Sequence, residues 1–422
     1  MHVFLDAETH RFAPARRAPP IVCVQFCVDG EQAHLMTKRG EQIREDGFGV
    51  PVTGLTFSRL LASWINGGAL LVGHHIAYDL ACFCAQDSEL VPLVFSHYRR
   101  NGVTDTLFRQ KLADIGRGRH RGFQAGDGWV QLNYNLGDVA RRHGFHVNKD
   151  EPFRLYYSLL ADVPLDQWCN FSAWVPVLKK DVVQLNSDGT AQMVLIHGRD
   201  AIRYGLDDPK ATRAAYCGQA QRYDAALLVD EYQQARKFWA LDLASTWGLR
   251  TSFRGVLSLE KGAREHRDHL AGMLLDPTGH RAHGQACHCY ECDEQPPLIR
   301  PKSRKPGAEL SRDTTAAKAR MVKACRESGM PVRLTKKEGV CLDSDACKSS
   351  GDPLLEAYAD YSSMVKVLSN DVEMLHKGVV VPIHTHFDLA DTGRVTSAKP
   401  NVMNPRRLTG VRECYVPRGY RE

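Results

Sequence analysis

Residues 1–10 read MHVFLDAETH. Val3-Phe4-Leu5 is the apolar run of a buried strand, yet Asp6 follows at once and Glu8 stands two residues on, on the same side of an extended backbone. Like charges so close repel, and burying them without a counter-charge is costly. The stretch therefore predicts a strand whose end is built around something positive.

Working outward, RRAPP (16–20) is a turn and IVCVQFCVDG (21–30) alternates like a second strand closed by Asp-Gly, so residues 1–30 read as a hairpin. A helix is expected over Phe57–Ile65, then an apolar strand Ala69–Val72, the turn Gly73-His74-His75, and a helix over Tyr78–Ala85. From Thr104 to about His146, helical patterns alternate with Gly-rich loops such as IGRGRHRGFQAGDG. This mixture predicts an α/β (α+β) first domain of about 200 residues. The character then changes. Glu231–Trp247 is an amphipathic helix stopped by Gly248, and Ser258–Leu275 is another. Thr278 to Gly351 is polar, basic and rich in Cys and Pro, without sustained periodicity. Asp352-Pro353 opens a long helix from Leu354 to Leu375, closing at Lys377-Gly378, and strands and turns follow.

With 422 residues, 43% hydrophobic and 25% charged, the chain has the composition of an ordinary protein of two or three domains. No stretch approaches the 18 or so apolar residues of a membrane helix, and the start lacks the order of a signal peptide, so a cytoplasmic setting is expected. The net charge of +6 is unevenly spread: Arg300 to Glu338 holds twelve Lys/Arg against four acids, a net of +8. Such a segment is either a solvated loop or the electrostatic footprint of phosphate-backbone binding. Among thirteen cysteines, Cys287, Cys289 and Cys292, with His283 nearby, offer ligands for a structural Zn²⁺. No second C-x₂-C completes the set, and reduced thiols in a variable insert are the favoured reading.

Two further acids join the opening pair. Asp79 sits in GHHIAYDLACF at a strand-to-helix turn, and Asp208 sits in AIRYGLDDPKAT with Tyr204 one helical turn before it. Asp-x-Glu, Asp, then Tyr-x₃-Asp is a set suited to two divalent cations. One ion would activate a water and the other steady a leaving oxygen; hard oxygen ligands favour Mg²⁺ or Mn²⁺.

These segments resemble the tyrosine-bearing DEDD 3′–5′ proofreading exonuclease of family A DNA polymerases, of the phage type. The connecting text resembles it too: VTDTLFRQKLADIG, YNLGDVARRHGF and ADVPLDQW. The resemblance implies Asp6, Glu8, Asp79 and Asp208 as metal ligands and Tyr204 as the residue that positions water. It departs at His75, where the family has Asn, and in extra sequence between Trp168 and Ala201. Asp181 in that insert is set aside because Val177, not Tyr, stands four residues before it.

The end, DTGRVTSAKPNVMNPRRLTGVRECYVPRGYRE, resembles the segment that leads into the palm of the same family. Thr392, Gly393, Arg394, Thr396, Ser397, Pro400, Asn401, Asn404 and Arg412 match, implying contacts to primer-template DNA; Met403 replaces a Gln. The implied organisation is a ribonuclease H-like exonuclease domain over 1–220, a mixed sheet flanked by helices, with an insertion at about 169–200. A mostly helical thumb-like region over 221–378 follows, with a basic Cys-rich insert at 278–350, and then the start of a palm at 379–422. The palm carboxylates would lie beyond Glu422, so the expectation is an amino-terminal portion that does not polymerise by itself. A second polypeptide would carry the missing palm and fingers, all within an infected bacterial cytoplasm. The implied substrate is a single-stranded DNA 3′ end beside a primer-template duplex. Two other readings stand beside it: a free-standing DEDD ribonuclease, against which the Thr-Gly-Arg motif argues, and a DNA-binding subunit with a vestigial exonuclease.

Overall fold

The computed structural model describes residues 1–13, 16–49, 54–126, 128–147, 152–179, 182–276, 296–303, 309–335, 337–405 and 410–417. Cys287, Cys289, Cys292 and Asp181 lie outside them. The chain folds as two compact units: Met1–Gly248 with His384–Met403, and Leu249–Ile383 with Asn404–Glu422. The first unit thus extends beyond residue 220 to include the helix that Gly248 ends, and it takes in the hairpin around the Thr-Gly-Arg motif.

The first unit is a mixed α/β structure around a seven-stranded sheet. Its strands are β1 (His2–Thr9), β2 (Ile21–Val28), β3 (His34–Thr37), β4 (Gln42–Arg44), β5 (Gly47–Phe48), β6 (Leu70–Gly73) and β7 (Val103–Asp105), in the order β5-β4-β3-β2-β1-β6-β7. β1 to β5 run antiparallel to their neighbours, while β6 joins β1, and β7 joins β6, in parallel. The helices are α1 (Phe57–Asn66), α2 (Ile76–Gln86), α3 (Leu90–Arg99), α4 (Thr106–Gly116), α5 (Leu136–Arg142), α6 (Gly198–Arg222) and α7 (Glu231–Trp247).

Alternation along β1 decides which side chains meet which layer. Val3, Leu5 and Ala7 point into a core with Leu61 and Trp64 of α1, Leu80 and Phe83 of α2, Val94 of α3 and Trp239 of α7. Each such buried apolar side chain contributes about 1.5–3 kcal/mol. Phe4, Asp6 and Glu8 face the other side, where α6 lies across β1 and β2. Register places Asp6 opposite Gln25 and Glu8 opposite Cys23.

The helix and strand over 57–73 form close to the expected positions, and α7 ends at Gly248 as expected. The inserted 169–200 stretch forms a β arm: β10 (Ser172–Pro176) pairs with β13 (Met193–His197), and β11 (Leu178–Lys179) with β12 (Val182–Val183). It leads directly into α6.

In the second unit, α8 (Phe253–Leu275) starts five residues earlier than expected, because Ser252 caps it by accepting from the Gly255 amide at 3.0 Å. The basic segment, expected to lack periodic structure, contains a helix over Thr314–Ser328. Asp313 caps its start through the amides of Thr315 and Ala316, left-handed Gly329 ends it, and Ala317, Met321, Ala324 and Cys325 form its buried stripe. Several cations expected to be available are tied locally: Arg320 to Asp352 at 2.7 Å, Lys302 to Glu309 at 2.7 Å, Arg300 to Asp313 at 3.5 Å and Arg333 to Asp343 at 3.6 Å. The long helix runs over Pro353–Lys366, passes through a π turn at Val367–Val372 and continues to Val380. The ten cysteines among the described residues are free thiols. No helix among them is long and apolar enough to cross a membrane.

Candidate active site

The parallel strands β1, β6 and β7 end at one edge of the sheet, the usual location of a ligand crevice. There a cleft of about 910 Å³ is lined by Asp6, Glu8, His75, Asp79, Tyr204 and Asp208, among others. Carboxylate oxygens of Asp6, Glu8 and Asp208 lie within 4.8 Å of one another; among the described residues they are the group able to hold a metal ion. Asp6 and Glu8 come from β1, whereas Asp208 comes from α6, about 200 residues later.

α6 reaches the sheet because of Gly205. A Cβ there would stand 3.0 Å from Leu35 and 3.1 Å from Gln25, both fully buried. The helix thus presses onto β2 and β3, aiming Asp208 and Tyr204 at β1. It continues through Pro209 despite the missing backbone hydrogen bond.

Asp79 lines the same cleft but approaches from α2, accepting a hydrogen bond from the Ala7 amide. Burial pushes its carboxyl well above the usual range, and the charges of Asp6 and Glu8 push it further. Such a set is rich in hard oxygen ligands, the donor chemistry of a divalent cation site. Burial likewise raises the Tyr204 hydroxyl, followed by the charges of Glu8 and Asp6, so it stays protonated.

His75, the departure from the resembled pattern, adopts φ +68, a left-handed conformation rare outside glycine. Asp105 holds it there. Its carboxylate accepts from the amides of His75 (3.1 Å) and Ile76 (3.0 Å) at the start of α2, and of Leu107 (2.8 Å) and Phe108 (3.4 Å) at the start of α4. One buried acid therefore fixes two helix ends, and α2 carries Asp79. Burial pushes Asp105 up to about 6 against those donors. The His75 ring stacks with Tyr78 and is pushed down to about 4, first by burial and then by His386 and other cations. It is neutral near pH 7 and adds no positive charge beside Asp79.

The expected DNA-contacting residues divide between the units. In the first, Thr392 and Arg394 belong to the turn joining strands His386–Leu389 and Val395–Ala398. Thr396 donates to the Asp388 carbonyl at 3.2 Å. Ser397 is buried, its hydroxyl 2.9 Å from the Asn401 side chain and accepting from the Met403 amide. Asn404 and Arg412 belong to the second unit, Arg412 in a short 3₁₀ turn. Sequence reasoning missed Phe12, Arg141 and Arg154 on the cleft wall, and Asp105 behind it. Asp-Thr before LFRQ signalled a cap for α4, but nothing local signalled the second helix it holds.

No family model matches the sequence, and no curated protein matches it by sequence. Among solved structures, the POL domain of Pol1 from M. smegmatis, in complex with DNA primer-template and dNTP, matches with a TM-score of 0.50 at 14% identity. The fold is polymerase-like. All of this chain is covered, and it spans about 56% of that chain's length.

Proposed function

We propose that the first unit is a ribonuclease H-like 3′–5′ exonuclease that removes nucleotides from DNA 3′ ends. The observation that carries the reading is the convergence of Asp6, Glu8 and Asp208 within 4.8 Å across two distant elements. The polymerase-like fold and a mixed sheet with parallel strands ending at the cleft support it. In this reading the chain is the amino-terminal part of a family A polymerase, and the Thr392–Arg394 turn with Asn401, Asn404 and Arg412 contacts primer-template DNA.

Asp6, Glu8, Asp79 and Asp208 would hold Mg²⁺ or Mn²⁺. A bound pair of such ions supplies activation of water and stabilisation of the leaving 3′ oxygen. The protonated Tyr204 hydroxyl, on the same face of α6 as Asp208, orients the attacking water. Arg154 and Arg141 on the cleft wall face the phosphates of the entering strand. Neutral His75 stands where the Asn of the resembled pattern would contact that strand.

The test is the full chain with Mg²⁺ or Mn²⁺ and end-labelled single strands. Stepwise loss of DNA 3′ nucleotides is expected, abolished in Asp6→Ala/Glu8→Ala. Preference for RNA would favour the ribonuclease reading, and tight binding without cleavage the vestigial one. Cleavage by the double variant would overturn the site assignment.

A further inference from the structure

One feature of the first unit is used neither by the cleft nor by the core. Beyond α4 the chain forms a hairpin, β8 (Gly122–Ala125) and β9 (Gly128–Gln131). All four residues of β9 are exposed, and Trp129 keeps 64% of its surface in solvent. Its indole lies against the backbone of Gly122, where a Cβ would stand 2.6 Å from the ring, so one side rests on the hairpin and the rest is open. In sequence, residues 117–131 carry three arginines, Arg117, Arg119 and Arg121, against a single acid. Arg119 covers the Phe123 ring at 4.9 Å, on the face of the hairpin opposite Trp129, whereas Arg121, next to Gly122, is 61% exposed.

The two ends of this hairpin lead to two different places. On one side His120 Nδ1 lies 2.6 Å from Asp391, with Arg121 Nε 3.7 Å from the same carboxylate, at the start of the Asp391-Thr392-Gly393-Arg394 turn. On the other, the Tyr134 hydroxyl accepts from the Arg121 amide at 3.3 Å, and its carbonyl lies 2.8 Å from His74 Nε2. His74 and Asn135 line the carboxylate cleft. An exposed aromatic on an arginine-bearing hairpin is the pairing that binds unpaired nucleotides, through stacking on any base and attraction to phosphates.

We propose that this hairpin is a single-strand guide: the unpaired strand running between the Asp391–Arg394 turn and the cleft lays a phosphate on Arg121 and stacks a base on Trp129. The proposal deepens the exonuclease reading and rests on it for the destination of the strand, though not for the binding itself. Duplex DNA, whose bases are already stacked, gains nothing from the exposed indole.

The test is fluorescence anisotropy of labelled dT₁₂ and of a blunt 12-base-pair duplex with the full chain in EDTA, over a range of salt. Trp129→Ala should weaken dT₁₂ binding about tenfold, with Trp129→Phe restoring most of it. Arg121→Gln should lower the salt slope by about 0.7, the contribution of one phosphate no longer neutralised. The duplex should respond to neither the indole nor its replacement. Unchanged thermal midpoints would show that these exposed positions leave the fold intact. Wild-type dT₁₂ affinity and slope in both variants would overturn the proposal, as would an equal loss on the duplex. Because no cleavage is needed, the two readings separate. Tight Trp129-dependent binding by a chain that degrades no DNA would remove the exonuclease and keep the guide; cleavage unaffected by these variants would do the reverse.

Discussion

Gly205→Ala tests whether close approach of α6 to the sheet builds the carboxylate site. In an exposed helix interior this substitution stabilises by about 1 kcal/mol, since alanine loses less backbone freedom. At Gly205 the new methyl meets Leu35 at 3.0 Å and Gln25 at 3.1 Å. Ordinary carbon contacts lie near 3.5–4.0 Å, so something must yield by a few tenths of an ångström. Neither neighbour has solvent to retreat into, and overpacking of this kind costs about 1–3 kcal/mol. The net is a loss of about 1 kcal/mol. Gly262, exposed on α8 with nothing within 4 Å, is the control: the same change there should gain about 1 kcal/mol. Urea unfolding of both variants should therefore separate one chemical change by about 2 kcal/mol, with opposite signs. If α6 retreats to make room, Asp208, three residues on, moves from Asp6 and Glu8. Mn²⁺ titration should then show weaker binding for Gly205→Ala alone. Equal stabilisation by both variants with unchanged Mn²⁺ affinity would refute the reasoning.

Four other outcomes follow from the same geometry. Mg²⁺ should stabilise the wild type by about 2.7 kcal/mol at a hundredfold excess over its dissociation constant, raising its unfolding midpoint in calorimetry, and leave that of Asp6→Asn/Glu8→Gln unmoved. Asp105, raised to about 6 in the fold from about 3.9 in an unfolded chain, favours folding when protonated. That contribution is complete only well below pH 4 and is lost as pH rises through 6, so wild type should lose about 2 kcal/mol more than Asp105→Asn between pH 4 and 7 in chemical denaturation. The Arg109–Glu231 pair joins α4 to α7 with both side chains nearly buried. Arg109→Met should destabilise by about 3–5 kcal/mol, and Arg109→Met/Glu231→Leu should recover most of it in the same assay. Tyr204→Phe should slow 3′-end cleavage at least about tenfold while Mn²⁺ binding stays at the wild-type level, since the hydroxyl orients water and holds no ion.

What the sequence made legible was whatever is written in local period. β1 shows this most clearly. Alternation sends Val3, Leu5 and Ala7 to one layer and Asp6 and Glu8 to the other, so the rule that builds the core also sets the carboxylates under α6. Asp208 and Tyr204 were legible as one helical face, and α7 as a helix ended by glycine. What escaped reading depends on packing between segments far apart in the chain. The Thr314–Ser328 helix hides a four-residue apolar stripe among lysines and arginines, too thin to stand out until Leu298 and Tyr358 cover it. Asp105 reads as a cap for the helix that follows it, but its grip on His75 and Ile76 joins amides 29 and 30 residues earlier. That grip fixes the start of α2, the helix that carries Asp79. The backbone at 75 is held in its left-handed conformation by a carboxylate from β7, and α2 takes its direction from that contact.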